Sequence, residues 1–249
     1  MEYIRLGRTN LLVSRVALGA MRLSGDSAAS VIRKAYESGI NFFDTSGRTP
    51  DSEKLLGDAL YDIRQNVFLA TTTSSETPGE LRSDLESSLT TFHCDFVDLY
   101  QFETESSVPV PGEPDGIYDT LVSMRESGRI RHFGLVTKNL ETAETAVRSG
   151  LYETIQFPFS MVSSEQTAGI VTLCAENDIG FIAMQPLGGG LIQNIPLALG
   201  FLSQFENVVP IWGAQTAEEL EQILYFNEHP PVIDEKFRND VEMVRIFFN

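Results

Sequence analysis

Two carboxylates stand where apolar runs give way to loops: Asp44, which closes Asn41-Phe42-Phe43, and Glu103, just beyond Phe96–Tyr100. Carboxylates gathered at one mouth can split their pKa values and serve as acid and base. The other reading of Asp44 is a cap on local backbone amides, and no nucleophile or metal set accompanies the pair. His93, His132 and His229 have no ligand spacing, so no metal site is expected. Cys94 and Cys174 are far apart and read as reduced core thiols, a redox pair being the alternative. Gly188-Gly189-Gly190 either cradles a phosphate as a backbone nest or forms a loop that needs unusual backbone angles. The segment Thr104–Gly116, with Pro109, Pro111 and Pro114 among Glu105, Glu113 and Asp115, is long enough for a lid or a partner-binding loop.

The elements that must position these residues alternate along the chain. Strand-like runs at Val16–Leu18, Asn41–Phe43, Val67–Ala70, Phe96–Tyr100, His132–Leu135, Thr154–Phe157, Gly180–Ala183 and Val208–Ile211 are separated by helical patterns. The helices are expected at Ala28–Glu37, Ser52–Tyr61, Gly79–Thr91, Ile117–Glu126, Glu141–Arg148, Ser164–Glu176, Pro196–Gln204 and Ala217–Phe226. Ser127-Gly128, Ser149-Gly150 and Asn177-Asp178 read as stops, and Asp51-Ser52-Glu53 and Thr216–Glu219 as acidic starts suited to the helix dipole. Helical crossovers imply parallel strands, and βα units of this number close into a (β/α)8 TIM barrel. Ile4–Val13 is expected to form an N-terminal β-hairpin under the barrel, and Glu235–Phe247 an extra C-terminal helix. Residues 1–249 then make a single domain. Reactive groups of such barrels lie at the C-terminal strand ends. These are Gly19–Arg22, Asp44–Asp51, Thr71–Ser74, Glu103–Pro114, Val136–Asn139, Phe159–Met161, Met184–Gly190 and Trp212–Gln215.

Composition narrows the function. With 35 acidic against 18 basic residues the net charge is −17, which argues against a nucleic-acid or anionic-membrane partner. No apolar run approaches the roughly 18 residues of a membrane span, and no signal pattern follows Met1. A cytoplasmic location is expected.

The strand ends and their flanks resemble the aldo-keto reductases. Arg5-Leu6-Gly7-Arg8-Thr9-Asn10 is similar to that family's opening hairpin, and Gly39–Thr45 followed by Ser52-Glu53 and Leu56-Gly57 to its second-strand signature. Asp98-Leu99-Tyr100-Gln101, Gly128–Arg131 with Gly134, and Pro186–Gly190 resemble its fourth strand, fifth-strand entry and seventh loop, in order from residue 3 to about residue 224. The resemblance implies a tetrad in which a tyrosine protonates a carbonyl, an Asp–Lys pair lowers its pKa and a histidine orients the substrate. Asp44 matches the aspartate. The tyrosine position holds Thr49, the lysine position Thr72 and the histidine position Glu103. Glutamate at this last position resembles family members that reduce carbon–carbon double bonds, although those keep the tyrosine and the lysine.

The cofactor positions implied by the resemblance are altered too. Gln156 persists, but Val136-Thr137 stands for Ser-Asn, Met184 for the tyrosine that stacks on nicotinamide, and Gln185 for serine. Glu219 occupies a place where Arg or Gln approaches a phosphate, and Ile223 replaces the asparagine that reads adenine. Lys138 and Arg22 are the only cations noted near strand ends, and Trp212 is expected to fill space a dinucleotide would use. Asp44 without its lysine is expected to be protonated or to find another hydrogen-bond donor, such as Thr72 or Thr45.

Three readings follow. The first is a barrel that binds a small molecule or protein partner without hydride transfer and expects no cofactor. The second is a divergent oxidoreductase for a carbonyl or activated double bond, holding NADP(H) through Gln156, Met184, Leu187 and Gly188. The third is a non-redox lyase or isomerase using Asp44 and Glu103.

Overall fold

A computed structural model describes residues 1–248. The chain opens with an antiparallel hairpin, β1 (Tyr3–Arg5) and β2 (Leu12–Ser14), joined through a tight turn at Gly7–Thr9. Eight strands then alternate with helices: β3 (Ala17–Gly19), β4 (Phe42–Asp44), β5 (Phe68–Thr73), β6 (Val97–Glu103), β7 (Ile130–Val136), β8 (Thr154–Pro158), β9 (Gly180–Met184) and β10 (Val208–Trp212). All are parallel, and β10 pairs with β3 through Ile211↔Ala17, closing the barrel. The intervening helices are α1 (Ala28–Glu37), α2 (Pro50–Leu60), α3 (Pro78–Phe92), α4 (Ile117–Glu126), α5 (Leu140–Ser149), α6 (Glu165–Glu176), α7 (Ile195–Leu202) and α8 (Ala217–Glu228). The final helix, α9 (Glu235–Phe248), buries Phe237 and Val241 and ties Arg245 Nε to the Met161 carbonyl at 2.7 Å.

The expected architecture is present, and its edges are informative. Helix α2 starts at Pro50 rather than Ser52, because proline at the first turn has no N–H to leave unpaired. Strands β5 and β6 run on to Thr73 and Glu103, beyond the expected Ala70 and Tyr100. Their extra residues, Thr71–Thr73 and Gln101, are polar, so a hydrophobic pattern misses them although they remain in the ladder.

Two packed layers follow from strand alternation. Inside the barrel, Ala17, Phe42, Ala70, Leu99, Ile182, Val209 and Ile211 meet Leu6, Leu11 and Val13 of the hairpin, which closes the lower end as expected. Gly7 makes this possible: its φ is +50° and an added Cβ would lie 2.1 Å from Gly180 N. Arg8 reinforces the closure, donating to the carbonyls of Gly150 and Tyr152 at 2.6 Å each. Outside the barrel, a larger apolar layer joins alternate strand residues such as Leu18, Phe43 and Phe133 to the helices. Cys174 is buried in that layer, its thiol pushed up to about 12 by burial, and Cys94 is free as well.

One charged cluster fastens the lower rim. The fully buried Asp98 carboxylate meets Arg64 at 2.7 Å and Arg131 at 3.0 Å and accepts the Leu69 N–H at 3.0 Å. Both guanidinium groups also lie over the Phe96 ring, at 4.8 and 4.0 Å. Asp98→Asn leaves the mostly buried Arg64 without its counter-charge, so urea unfolding is expected to show a loss of about 3–5 kcal/mol. A loss below about 1 kcal/mol would show that the cluster is solvated.

Candidate functional site

The same alternation that fills the lower barrel with carbon aims polar groups into its upper end. Asp44 on β4, Thr72 on β5, Gln101 and Glu103 on β6, Val136 on β7, Gln156 on β8 and Met184 on β9 share the inward phase. Their ladder pairs, Thr72↔Gln101, Glu103↔Val136, Val136↔Gln156 and Pro158↔Met184, place them around one mouth. Of the sequence-derived candidates, the structure brings Asp44, Thr72, Gln156 and Met184 to this mouth, with Glu103 at its rim.

Asp44 is 3% exposed, and its Oδ1 has no hydrogen-bond partner. Burial pushes its carboxyl up to about 7, an effect that the Gln156 side chain facing it offsets only in part. Gln156 is held in turn by Gln101, whose Nε2 donates to the Gln156 Oε1. The expected donors Thr72 and Thr45 are therefore not the ones used. Thr45 follows Asp44 in the strand direction, faces the opposite side and pairs with the Ser52 hydroxyl.

Thr49 does not point into the mouth. It is the N-terminal cap residue of α2, and its hydroxyl donates to the Ser46 carbonyl of the same turn at 2.9 Å. Glu103 is likewise committed, to Arg48 at 3.2 Å, and Arg48 Nε also donates to Ser74 Oγ at 3.0 Å. Arg48 was missed among the strand-end cations, although it lies inside the segment Asp44–Asp51. The expected coupling of Asp44 with Glu103 gives way accordingly: desolvation raises the Asp44 carboxyl, and Glu103 has a cation of its own.

Two further carboxylates occupy backbone donors around the mouth. Glu105 Oε2 accepts from Thr137 Oγ1 at 3.1 Å and from the Lys138 N–H at 2.9 Å, holding the β7–α5 turn. Glu219 Oε2 accepts from the Gln215 N–H at 2.7 Å while its own N–H donates to Thr216 Oγ1, a capping arrangement at the start of α8. The glycine loop is similarly self-contained. Gly188, Gly189 and Gly190 all have positive φ, and the amides of Gly188 and Gly190 donate to Gln185 O and Leu187 O at 2.8 and 3.0 Å. Those two amides point into the loop, away from any nest. Trp212 is 1% exposed and, one residue past the inward Ile211, turns into the layer beneath the helices together with Ile223. It packs the wall and does not cross the lumen.

Beside the mouth, the loops after β5 and β6 enclose a cavity of about 500 Å³ lined by Arg48, Ser74, Phe102, Glu103, Ser106 and Asp115 among others. The segment Thr104–Gly116 forms one wall of it. A second polar centre lies behind β5, where Glu53, 2% exposed, accepts from Thr71 and Ser88 at 2.7 Å each. Glu53 does lie in the acidic first turn of α2 that Asp51-Ser52-Glu53 suggests, and burial there raises its carboxyl. Among the described residues no three His, Cys, Asp or Glu side chains are grouped to hold a metal. His132 pairs with Glu153 at 2.8 Å, His93 with Asp58 at 3.1 Å, and His229 stacks on Tyr225.

The Asp44 environment has a measurable consequence. Between its ordinary value near 3.8 and about 7, the folded chain holds one proton more than the unfolded chain. The Asp44 contribution to stability therefore falls as pH rises through this window and levels off above it, about 4 kcal/mol lower. Asp44→Asn stays neutral throughout. Urea unfolding is expected to show the variant gaining on the native chain from about pH 4 to about pH 7, and a constant difference between the two would contradict the burial.

Residues 15–196 match the model of the Aldo/keto reductase family. The chain is 28% identical over 222 residues to "Probable aldo-keto reductase 1" of Glycine max, covering 78% of this chain and 63% of that protein. It is 26% identical over 212 residues to "Uncharacterized oxidoreductase YqkF" of Bacillus subtilis strain 168, covering 78% and 67%. The matches thus span about two thirds of these relatives' lengths. Among solved structures, the holo form of aldo-keto reductase AKR11C1 from Bacillus halodurans superposes with a TM-score of 0.85 at 18% identity, over 98% of this chain and 96% of that one. The family match takes in the first seven strands of the barrel, among them those that carry Asp44, Glu103 and Gln156, and this chain belongs to the aldo/keto reductase family.

Proposed function

We propose that this chain is a non-redox member of its family, a pseudoenzyme barrel that binds a small molecule or a protein partner at its mouth without transferring hydride. The observation that carries the reading is the commitment of donors around the cleft to the chain's own carboxylates. Glu105 takes the Thr137 hydroxyl and the Lys138 amide, and Glu219 takes the Gln215 amide before α8. A phosphate approaching a helix start already holding a carboxylate meets repulsion rather than a free anion site, and the −17 net charge has the same sign.

The chemistry at the tetrad positions points the same way. The Thr49 hydroxyl is spent on its own turn, and an alkyl alcohol is a much poorer acid than an activated phenol. Thr72 supplies no cation to Asp44, and Glu103 is held by Arg48. The family's cofactor, NADP(H), would meet Gln156, Met184, Leu187 and Gly188. Gly188 has already turned its amide to Gln185 O. The acidic surface speaks against nucleic acid, and no helix among the described residues is long and apolar enough to cross a membrane. A cytoplasmic setting fits this reading.

A second reading is favoured by the relatives, which are named as reductases and oxidoreductases, and by a structural neighbour solved in a holo form. In it the chain is a divergent NAD(P)H-dependent oxidoreductase acting on a carbonyl or an activated double bond, with Glu103 or a water supplying the proton.

NADPH titration by calorimetry, with Trp212 emission as a second signal, separates the two. The non-redox reading expects no binding at micromolar cofactor. Micromolar affinity, or NADPH oxidation with any member of a carbonyl and enone panel, would overturn it in favour of the oxidoreductase.

A further inference from the structure

We propose that the barrel mouth recognises its ligand through a protonated nitrogen, an ammonium or amidinium head group that pairs with the unpartnered Oδ1 of Asp44. This rests on the non-redox binding reading above and names the ligand class.

The argument begins with a hydrogen-bond chain that runs one way. Thr154 Oγ1 donates to Gln101 Oε1 at 3.5 Å, and Gln101 Nε2 donates to Gln156 Oε1. That leaves the Gln156 amide nitrogen as the donor toward Asp44. The chain thus serves the Asp44 carboxyl with one neutral donor, and Oδ1 receives none. A buried carboxylate oxygen with no donor is unfavourable, and a cation relieves both the missing hydrogen bond and the uncompensated charge.

The surroundings select the sign of that partner. At this level the inward side chains are Ile211 from β10, Thr72 from β5, Val136 from β7, Gln156 from β8 and Met184 from β9, with Gly19 from β3; none is titratable. The charged groups near the mouth are Glu103 on β6, held by Arg48 from the loop after β4, Glu105 and Glu219, which hold backbone amides after β7 and before α8, and the exposed Arg22 after β3 and Lys138 after β7. His132 sits near the start of β7 and is held by Glu153. An ammonium ion entering here meets no cation in the lumen, whereas an anion meets Asp44 and an acidic protein. The ladder partner of Asp44 is Gly19, which is partly exposed although Ile211 Cγ2 lies 2.7 Å from where its Cβ would stand, so the opening on that flank is narrow and suits only a slender head group.

The pairing carries a proton signature. The Asp44 carboxyl titrates near 7, so an ammonium that pairs with the ionised form displaces a proton below that pH. n-Butylamine, n-butanol and butyrate, titrated into the full chain and followed by amide chemical shifts, test this with the same four-carbon body and three head groups. At about pH 8 the amine is expected to bind at least tenfold more tightly than the alcohol or the acid, with shifts centred on the ends of β4 and β8. At about pH 6 its affinity is expected to be about tenfold lower, because Asp44 is then mostly protonated.

Asp44→Asn is expected to abolish the preference, while Glu206→Gln, an exposed acid elsewhere on the surface, keeps it. Should Asp44→Asn fail to fold, calorimetry of the native chain in two buffers of different ionisation enthalpy reads the displaced proton directly. Equal binding of the three probes, no binding of the amine, a preference that survives Asp44→Asn, or no proton release would each overturn the proposal. NADPH titrated in the same series keeps the two readings apart. Cofactor binding beside an intact amine preference retires the non-redox reading alone, and absence of both retires the amine proposal alone.

Discussion

Closing eight parallel strands into a barrel forces every second side chain into an interior with no room for bulk water, and the rest of this molecule follows from that constraint. In the lower half the requirement is met with carbon: Phe42, Leu99, Ile182 and Val209 pack against the hairpin's Leu6, Leu11 and Val13. In the upper half it is met with neutral amides and hydroxyls that satisfy one another, Thr154 to Gln101 and Gln101 to Gln156. Asp44 is the ionisable group among them with neither a cation nor a full set of donors, and burial moves its titration toward neutrality. The same desolvation makes the ionised form of that carboxyl unfavourable to the fold.

Around this buried acid, the outer carboxylates are engaged. Glu103 is paired with Arg48, Glu105 holds the turn after β7, and Glu219 caps the start of α8. Each turns a group that could have met a cofactor or substrate into part of the scaffold. The −17 charge of the chain is therefore only partly a free field, since these mouth acids act locally through fixed hydrogen bonds. Membership of the aldo/keto reductase family describes the scaffold on which this happened. What such a barrel does is settled by the groups at its mouth, since one fold hosts many chemistries.

Much of the fold was legible from pattern alone. Helices α1 and α4 have the expected boundaries, because their buried apolar residues recur at helical spacing from end to end. The strands that run furthest past their expected ends, β5 and β6, are those whose upper residues are mostly polar. Hydrophobic periodicity reports burial against carbon and is blind to a strand end lining a polar mouth. At the site, Asp44, Thr72, Glu103 and Gln156 could be named from position, while Arg48 and Glu105 could not be assigned partners. Both reach their contacts across loops, and nothing in residue type states which way a loop side chain turns. Glu53 shows the same limit from the other side: the acidic start of α2 is legible, but its burial is decided by Ser88 of α3, 35 residues further on.

By itself, then, the sequence determined the strand and helix order, the hairpin under the barrel, the family, and the types of residue that reach the mouth. These depend on local periodicity, capping and motif spacing, which act over a few residues at a time. Only the tertiary structure decided which groups are spent and which remain free. Thr49 turns back to Ser46, Glu103 finds Arg48, and Trp212 goes into the wall, whereas Oδ1 of Asp44 is left without a partner. The physical reason is that hydrogen bonds and desolvation are settled between residues far apart in the chain and adjacent only once the barrel has closed.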